Sequence, residues 1–238
     1  PIFFPKSYRR PYATEETENA NVLLRAEVLQ KIKNTTRQLI ITYPEALSEQ
    51  VLTPKELQRK TLDIKKGDEL SIDFVNETLF DFGFKRVDFV SEPGEFAVRG
   101  GILDVHSYSH EEPFRIEFFG DEIDTIRSFD VSSQRSTQAL IAIQILANIE
   151  QKEIDEKRQS LLSFIDKESL ICLQNMDTIQ SSLDHLYANA EKSYAALSGE
   201  IKRLHPKALF VDGKQFEYDL AVHKQVHFTS KTKENVVV

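Results

Sequence analysis

Cysteine and methionine are nearly missing: Cys172 and Met176 stand alone among 238 residues. A single cysteine excludes an internal disulfide and fits a reducing cytoplasm. Its neighbours Leu170, Ile171 and Leu173 predict a buried thiol behaving as a small hydrophobe. Position 1 is Pro and the one Met lies deep in the chain, so an excised or processed piece is expected. Long apolar runs are also lacking. Nothing nears the ~18 residues of a membrane helix, and no basic stretch leads into an apolar one as in a secretory signal. A cytoplasmic chain with no membrane partner is expected. Positive charge is in deficit, with 30 Lys and Arg against 38 Asp and Glu and a net charge of −8. A module gripping DNA alone would carry a basic face, because phosphate neutralisation supplies most of that affinity. A protein partner is the better expectation.

Catalytic signatures are absent too. No G-x-x-x-x-G-K-S/T phosphate loop occurs, and Gly213-Lys214 is followed by Gln215. Phe210-Val211-Asp212 has the form of a strand ending in a magnesium-binding acid, but without a phosphate loop it reads as an ordinary strand end. His106 and His110 are four apart across an expected turn, and His223 and His227 flank an expected strand; neither pair completes a metal set at familiar spacing. No G-x-S-x-G elbow is present. No catalytic residue, metal or cofactor is expected.

What is present divides into three segments. Residues 1–58 open with the aromatic and proline-rich run from Phe3 to Tyr12, followed by a helix over 14–33. That helix has acids first (Glu15, Glu16, Glu18), Lys31 and Lys33 last, and an apolar stripe of Val22, Leu23, Ala26, Leu29 and Ile32. A short buried strand over 38–42 and a helix starting at Pro44 complete it. Residues 59–146 carry one helix, N-capped by Ser71 and closed by Gly83. Strands follow over 86–90, 95–107, 113–119, 122–130 and 139–146, with tight turns at 109–112 and at Gly120-Asp121. This is an α+β insert. Residues 147–238 alternate apolar runs at 170–173, 208–211 and 225–228 with helices, including a long one over 177–204. The whole is expected to be α/β: a parallel sheet from the outer segments with an antiparallel-sheet domain inserted.

One surface carries a signal. In the strand 113–119, Phe114, Ile116 and Phe118 alternate with Arg115, Glu117 and Phe119. The first three face the helix around 74–82 and the second three face outward. Arg115 and Phe119 are then roughly 13 Å apart on one surface. In 95–99, Phe96 and Val98 point inward and Arg99 outward, and Gly100-Gly101 reads as a bulge or close backbone approach. Arg99, Arg115 and Phe119 thus share a face, and Arg and aromatic side chains are the types that anchor interfaces. The stretch 59–146 has 10 Lys and Arg against 17 Asp and Glu, near −7, so paired arginines are locally distinctive and suit an acidic patch on a partner.

The runs Pro93-Gly94-Glu95-Phe96-Ala97-Val98-Arg99-Gly100-Gly101-Ile102-Leu103-Asp104 and Arg115-Ile116-Glu117-Phe118-Phe119-Gly120-Asp121-Glu122-Ile123, then Ile126-Arg127, closely resemble domain 2 of the excinuclease component UvrB and its counterpart in transcription-repair coupling factors (Mfd). Phe129 to Ser136, Asn19 to Val22 and Tyr43 to Leu47 resemble the coupling factors more, and there is no room for the lesion-probing hairpin of UvrB. The resemblance implies domains 1a (1–58), 2 (59–146) and 1b (147–238), with 1a and 1b a degenerate P-loop-motor-like core. It implies UvrA as partner and carries the family's UvrA contacts onto Arg99, Arg115 and Phe119, with Gly94, Gly100, Gly101 and Gly120 as supporting turns and bulge. It further implies that full-length members bind RNA polymerase and double-stranded DNA, use ATP and Mg in a translocase part, and cover the docking face with a C-terminal domain. An ATP-dependent helicase or translocase fragment with residual nucleotide or DNA binding is the second reading, and an autoinhibitory scaffold the third.

Overall fold

A computed structural model describes residues 1–7, 19–34, 37–149, 156–197 and 204–228. In chain order its first elements are β1 (Ile2–Phe3), α1 (Asn19–Asn34), β2 (Ile40–Ile41), α2 (Pro44–Leu47), β3 (Val51–Leu52), α3 (Pro54–Arg59) and β4 (Thr61–Lys65). Next come α4 (Ile72–Asp81), β5 (Lys85–Arg86), β6 (Glu95–Arg99), β7 (Ile102–Val105), β8 (Phe114–Phe119), β9 (Glu122–Phe129), β10 (Ser136–Leu140) and β11 (Ala142–Leu146). The chain continues through β12 (Arg158–Gln159), α5 (Leu161–Phe164), β13 (Leu170–Gln174), α6 (Met176–Ala195), α7 (Pro206–Leu209), α8 (Gly213–Leu220) and β14 (Lys224–Phe228). These form two compact units. One holds the described residues of 1–41 and 54–156, the other those of 42–53 and 157–238.

The first unit is dominated by a six-stranded sheet in the order β10-β9-β8-β7-β6-β5. Its pairs are antiparallel except the edge strand β5, which runs parallel to β6. Helix α4 lies on one face for a reason visible in its sequence. Ser71 Oγ accepts from Phe74 N at 3.1 Å, Val75 and Leu79 fall one turn apart, and Gly83 takes φ +76 beyond the end. Val75 and Leu79 are buried with Phe96, Leu103, Val105, Phe114, Ile116, Ile123 and Ile126 in one core. Phe80 meets Phe96 edge-to-face at 5.1 Å. Strand β4, which the sequence pattern does not announce, pairs with β11 in a separate two-stranded sheet and adds Ile64, Ile143 and Ile145 to this core.

Other expectations need correction. The strand expected over 95–107 is a hairpin, β6 and β7, turning at Gly100-Gly101. The strand expected over 139–146 breaks at Ile141 into β10 and β11. The expected buried strand near 40 is β2, with Ile41 exposed. Helix α1 buries Val22, Ala26 and Leu29 of the predicted stripe, leaves Leu23 and Ile32 half-buried, and also buries Val28 and Arg25 completely. That guanidinium donates to Pro5 O at 2.8 Å and stacks 4.3 Å from the Phe4 ring. The acids expected at the helix start, Glu15 to Glu18, and the aromatic residues Tyr8 and Tyr12 lie outside the described residues.

In the second unit α5, α6 and α8 surround Leu162, Leu173, Leu183, Val211, Phe216 and Leu220. β13 and β14 are parallel, as their alternation with helices predicts. The run at 208–211 is not a strand; α7 and a single bridge between Glu49 and Phe210 occupy it. Asp212 is the N-cap of α8, its Oδ1 accepting from Gln215 N at 2.7 Å. Cys172 is exposed, not buried. Successive strand residues face opposite ways, so the residue after half-buried Ile171 and before buried Leu173 projects to the other side of a sheet only two strands wide. The described residues are thus mixed α/β. Among the described residues, parallel pairing outside the large sheet is confined to the two-stranded β1–β2 and β13–β14, the segments 42–53 and 157–238 meet through antiparallel β3–β12, and no continuous parallel sheet is seen.

Candidate protein-docking face

The six-stranded sheet has an oily face toward α4 and a charged outer face. Register fixes the outer face in rows across the strands. Ala97, Asp104, Arg115 and Arg127 form one row, and Arg99, Ile102, Glu117 and Thr125 the next. At the centre is Asp104 on β7, completely buried, with Leu103 and Val105 on either side packed into the core below.

Asp104 holds both arginines. Arg115 donates from Nε to Oδ1 at 2.7 Å and from Nη2 to Oδ2 at 2.9 Å, a two-point pairing of the planar fork with the carboxylate. Its Nη1 reaches Gln134 O at 3.3 Å, and the guanidinium lies 4.7 Å from the Phe129 ring centre. The hydrogen bonds to Asp104, opposed by partial burial, raise the Arg115 pKa above its ordinary value. Arg99 forms an ion pair with Asp104 Oδ2, donates from Nη1 to Asp88 O at 3.0 Å and lies 5.3 Å from the Phe89 ring. Glu117 takes a hydrogen bond from Thr125 Oγ1 at 2.8 Å and an ion pair from Arg127.

Phe119 closes β8 on the same outer face and is 82% exposed, a large apolar surface left in water. Past Glu117 the register shifts, because β9 spends two residues where β8 spends one. Alternation along β8 is unbroken, so Arg115, Glu117 and Phe119 remain on one side. Phe89, 67% exposed beside Arg99, is a second outward aromatic.

The expected glycines sit at the turns that frame this face. Gly100 (φ +60) and Gly101 join β6 to β7, and Gly120 (φ +65) joins β8 to β9. Gly101 is a true close approach: a Cβ there would lie 3.0 Å from Phe118 O. Gly94, in the turn before β6, has φ +88, and a Cβ would fall 2.2 Å from Tyr108 Oη. Glu95 braces the same turn, its Oε2 accepting from Ser91 N, Ser91 Oγ and Glu92 N. Burial pushes its pKa up, but those donors outweigh it and the pKa is lowered.

The sequence pattern places Arg99 and Arg115 on neighbouring strands as outward charges. They lie on strands separated by β7, and both are tied to a buried carboxylate. Asp104 and Phe89 were missed. The signal for Asp104 was its place between Leu103 and Val105, an acid alternating with core residues once Gly100-Gly101 is taken as a turn. His106 is buried, its Nε2 3.0 Å from Glu111 O, and desolvation lowers its pKa. Among the described residues no group of three or more His, Cys, Asp or Glu is placed to hold a metal, and no helix is long and apolar enough to cross a membrane.

A family model, the UvrB interaction domain, matches residues 62–150, the stretch that builds the large sheet and α4. Residues 62–150 are therefore similar to that domain. Its sequence is 36% identical over 143 residues to the transcription-repair-coupling factor of Haemophilus influenzae, covering 60% of this chain and 12% of that protein. It is 36% identical over 122 residues to that of Bacillus subtilis (51% and 10%) and 46% identical over 87 residues to that of Mycobacterium tuberculosis (37% and 7%). The chain is similar to these transcription-repair-coupling factors and spans about a tenth of their length.

Proposed function

We propose that this chain is the UvrA-docking module of a transcription-repair coupling factor and performs no catalysis itself. The observation that carries the reading is the outer face of the large sheet, where two arginines are fixed on one carboxylate and Phe119 stands exposed on the same side. Fixed cations beside an exposed aromatic are the chemistry of a protein hot spot. A net charge of −8 favours a protein over nucleic acid as the direct partner. In this reading 59–146 is the docking domain, and 1–58 and 147–238 are the remains of a motor-like core. RNA polymerase, double-stranded DNA, ATP and Mg belong to the rest of the protein, as does a C-terminal domain that covers the docking face at rest; the site of action is the cytoplasm.

Titration of UvrA against the chain tests this. Arg115→Ala and Phe119→Ala are each expected to weaken binding by roughly 2 kcal/mol, about 30-fold. Rising salt is expected to weaken the wild-type complex. Wild-type affinity in the Arg115→Ala/Phe119→Ala double variant overturns the assigned face. Micromolar ATP binding by calorimetry would instead favour a nucleotide-dependent motor fragment.

A further inference from the structure

Arg99 ends β6 and Arg115 lies near the start of β8, two strands that do not hydrogen-bond to each other. The group between them is on β7. We propose that Asp104 is the positioning residue of the docking face: one buried carboxylate that sets the spacing and direction of both guanidinium groups for a carboxylate-bearing segment of the partner. The proposal rests on the docking reading above and adds to it which residue organises the face and what chemistry it receives.

Asp104 does not itself meet a partner, since its side chain is 1% exposed. Its oxygens are committed to the arginines, Oδ1 to Arg115 and Oδ2 to both. The side chains of Arg99 and Arg115 remain 39% and 17% exposed, so each keeps some surface while held by Asp104. Phe129 and Phe89 border the two guanidinium groups, and the carbonyls of Gln134 and Asp88 take a further N–H from each. Side chains already fixed lose little rotamer freedom on binding, which favours affinity without new contacts. Two cations against one anion leave one net positive charge at the centre, and the adjacent Glu117–Arg127 pair cancels itself. The surrounding stretch 59–146 is net negative. A local excess of positive charge held in a fixed direction is matched by a carboxylate of the partner, which the guanidinium N–H groups not used by Asp104, Gln134 and Asp88 can meet.

The test uses the whole chain, UvrA, and the Nε–H signals of arginine in nitrogen-15 NMR. Wild type is expected to show a slowly exchanging Arg115 Nε–H without UvrA. Asp104→Asn is expected to lose that protection and to bind UvrA about tenfold more weakly. In an Arg99→Ala/Arg115→Ala background the same change is expected to add nothing, because Asp104 acts through those residues; a merely structural role would still add its loss. Retained Nε–H protection, wild-type affinity in Asp104→Asn, or a full additive loss overturns the proposal. If Asp104→Asn does not fold, Arg115→Lys decides. It keeps the charge and loses the fork, so affinity near that of Arg115→Ala supports the positioning role and wild-type affinity overturns it. If the arginine and Phe119 variants all bind UvrA normally, the docking reading itself fails; if they weaken binding while Asp104→Asn does not, only the positioning role fails.

Discussion

The two faces of the large sheet are made by alternate residues of the same strands, and they are stabilised in opposite ways. On the inner face Phe96, Leu103, Val105, Phe114 and Ile116 are excluded from water against α4, and their contribution scales with the apolar area removed. On the outer face the central residues are charged, and order comes from geometry: one buried acid, two planar cations and the flanking rings of Phe89 and Phe129. Burial of apolar area tolerates many arrangements of similar volume. A shared carboxylate tolerates few, since removing one partner leaves uncompensated charge. The comparison teaches that one pleated layer holds an apolar core on one side and a charged cluster on the other, and that substitutions on each side can be made and read separately.

The separation can be broken or sharpened in order of expected effect. Leu103→Ala removes a fully buried side chain from the inner face and is expected to cost about 3 kcal/mol of stability. Chemical denaturation measures this, and the folded fraction should still bind UvrA with wild-type affinity; a large loss of intrinsic affinity would show that the faces are coupled. Gly94→Ala sets a side chain at φ +88 against Tyr108 and is expected to cost about 2 kcal/mol in the same assay. A neutral result would mean the turn relaxes freely. The pH dependence is smaller and has a defined sign. Desolvation lowers the pKa of buried His106, so the unfolded chain takes up its proton first, at about pH 6.5. Stability is therefore expected to fall as pH drops through that value toward the folded pKa. His106→Gln should flatten the decline between about pH 7.5 and 5.5, and an unchanged slope would assign it to other groups. Smallest is Phe119→Ala, which should leave stability within ~0.5 kcal/mol while weakening UvrA binding, because its ring is already in water. A larger loss of stability would mean that the ring supports the fold.

Much of the inner face was legible because its signals are local. Ser71 and Gly83 bound α4, period-two alternation marks β8 and β9, and Gly120-Asp121 marks their turn. The outward positions of Arg115 and Phe119 followed from the same alternation. The partner of the arginines did not, because it depended on whether Gly100-Gly101 bends a strand or reverses it, and both fit a glycine pair. Taking 95–107 as one strand hid β7 and Asp104 with it. β4 was obscure because Lys65 and Lys66 follow only a brief apolar alternation and its pairing partner, β11, is some 80 residues away. Phe89 was hidden because the strand expected over 86–90 ends at Arg86, so the alternation read across it sets no direction for the ring.

The Gly100-Gly101 reversal also acts as a phase setting. Two residues between β6 and β7 put an acid above the layer and leucine and valine beneath it. An extra residue there would advance β7 by half a pleat, sending the carboxylate into oil and Leu103 into water. Length at that bend should therefore be harder to change than side chain, and a one-residue insertion should cripple folding and recruitment in a single stroke.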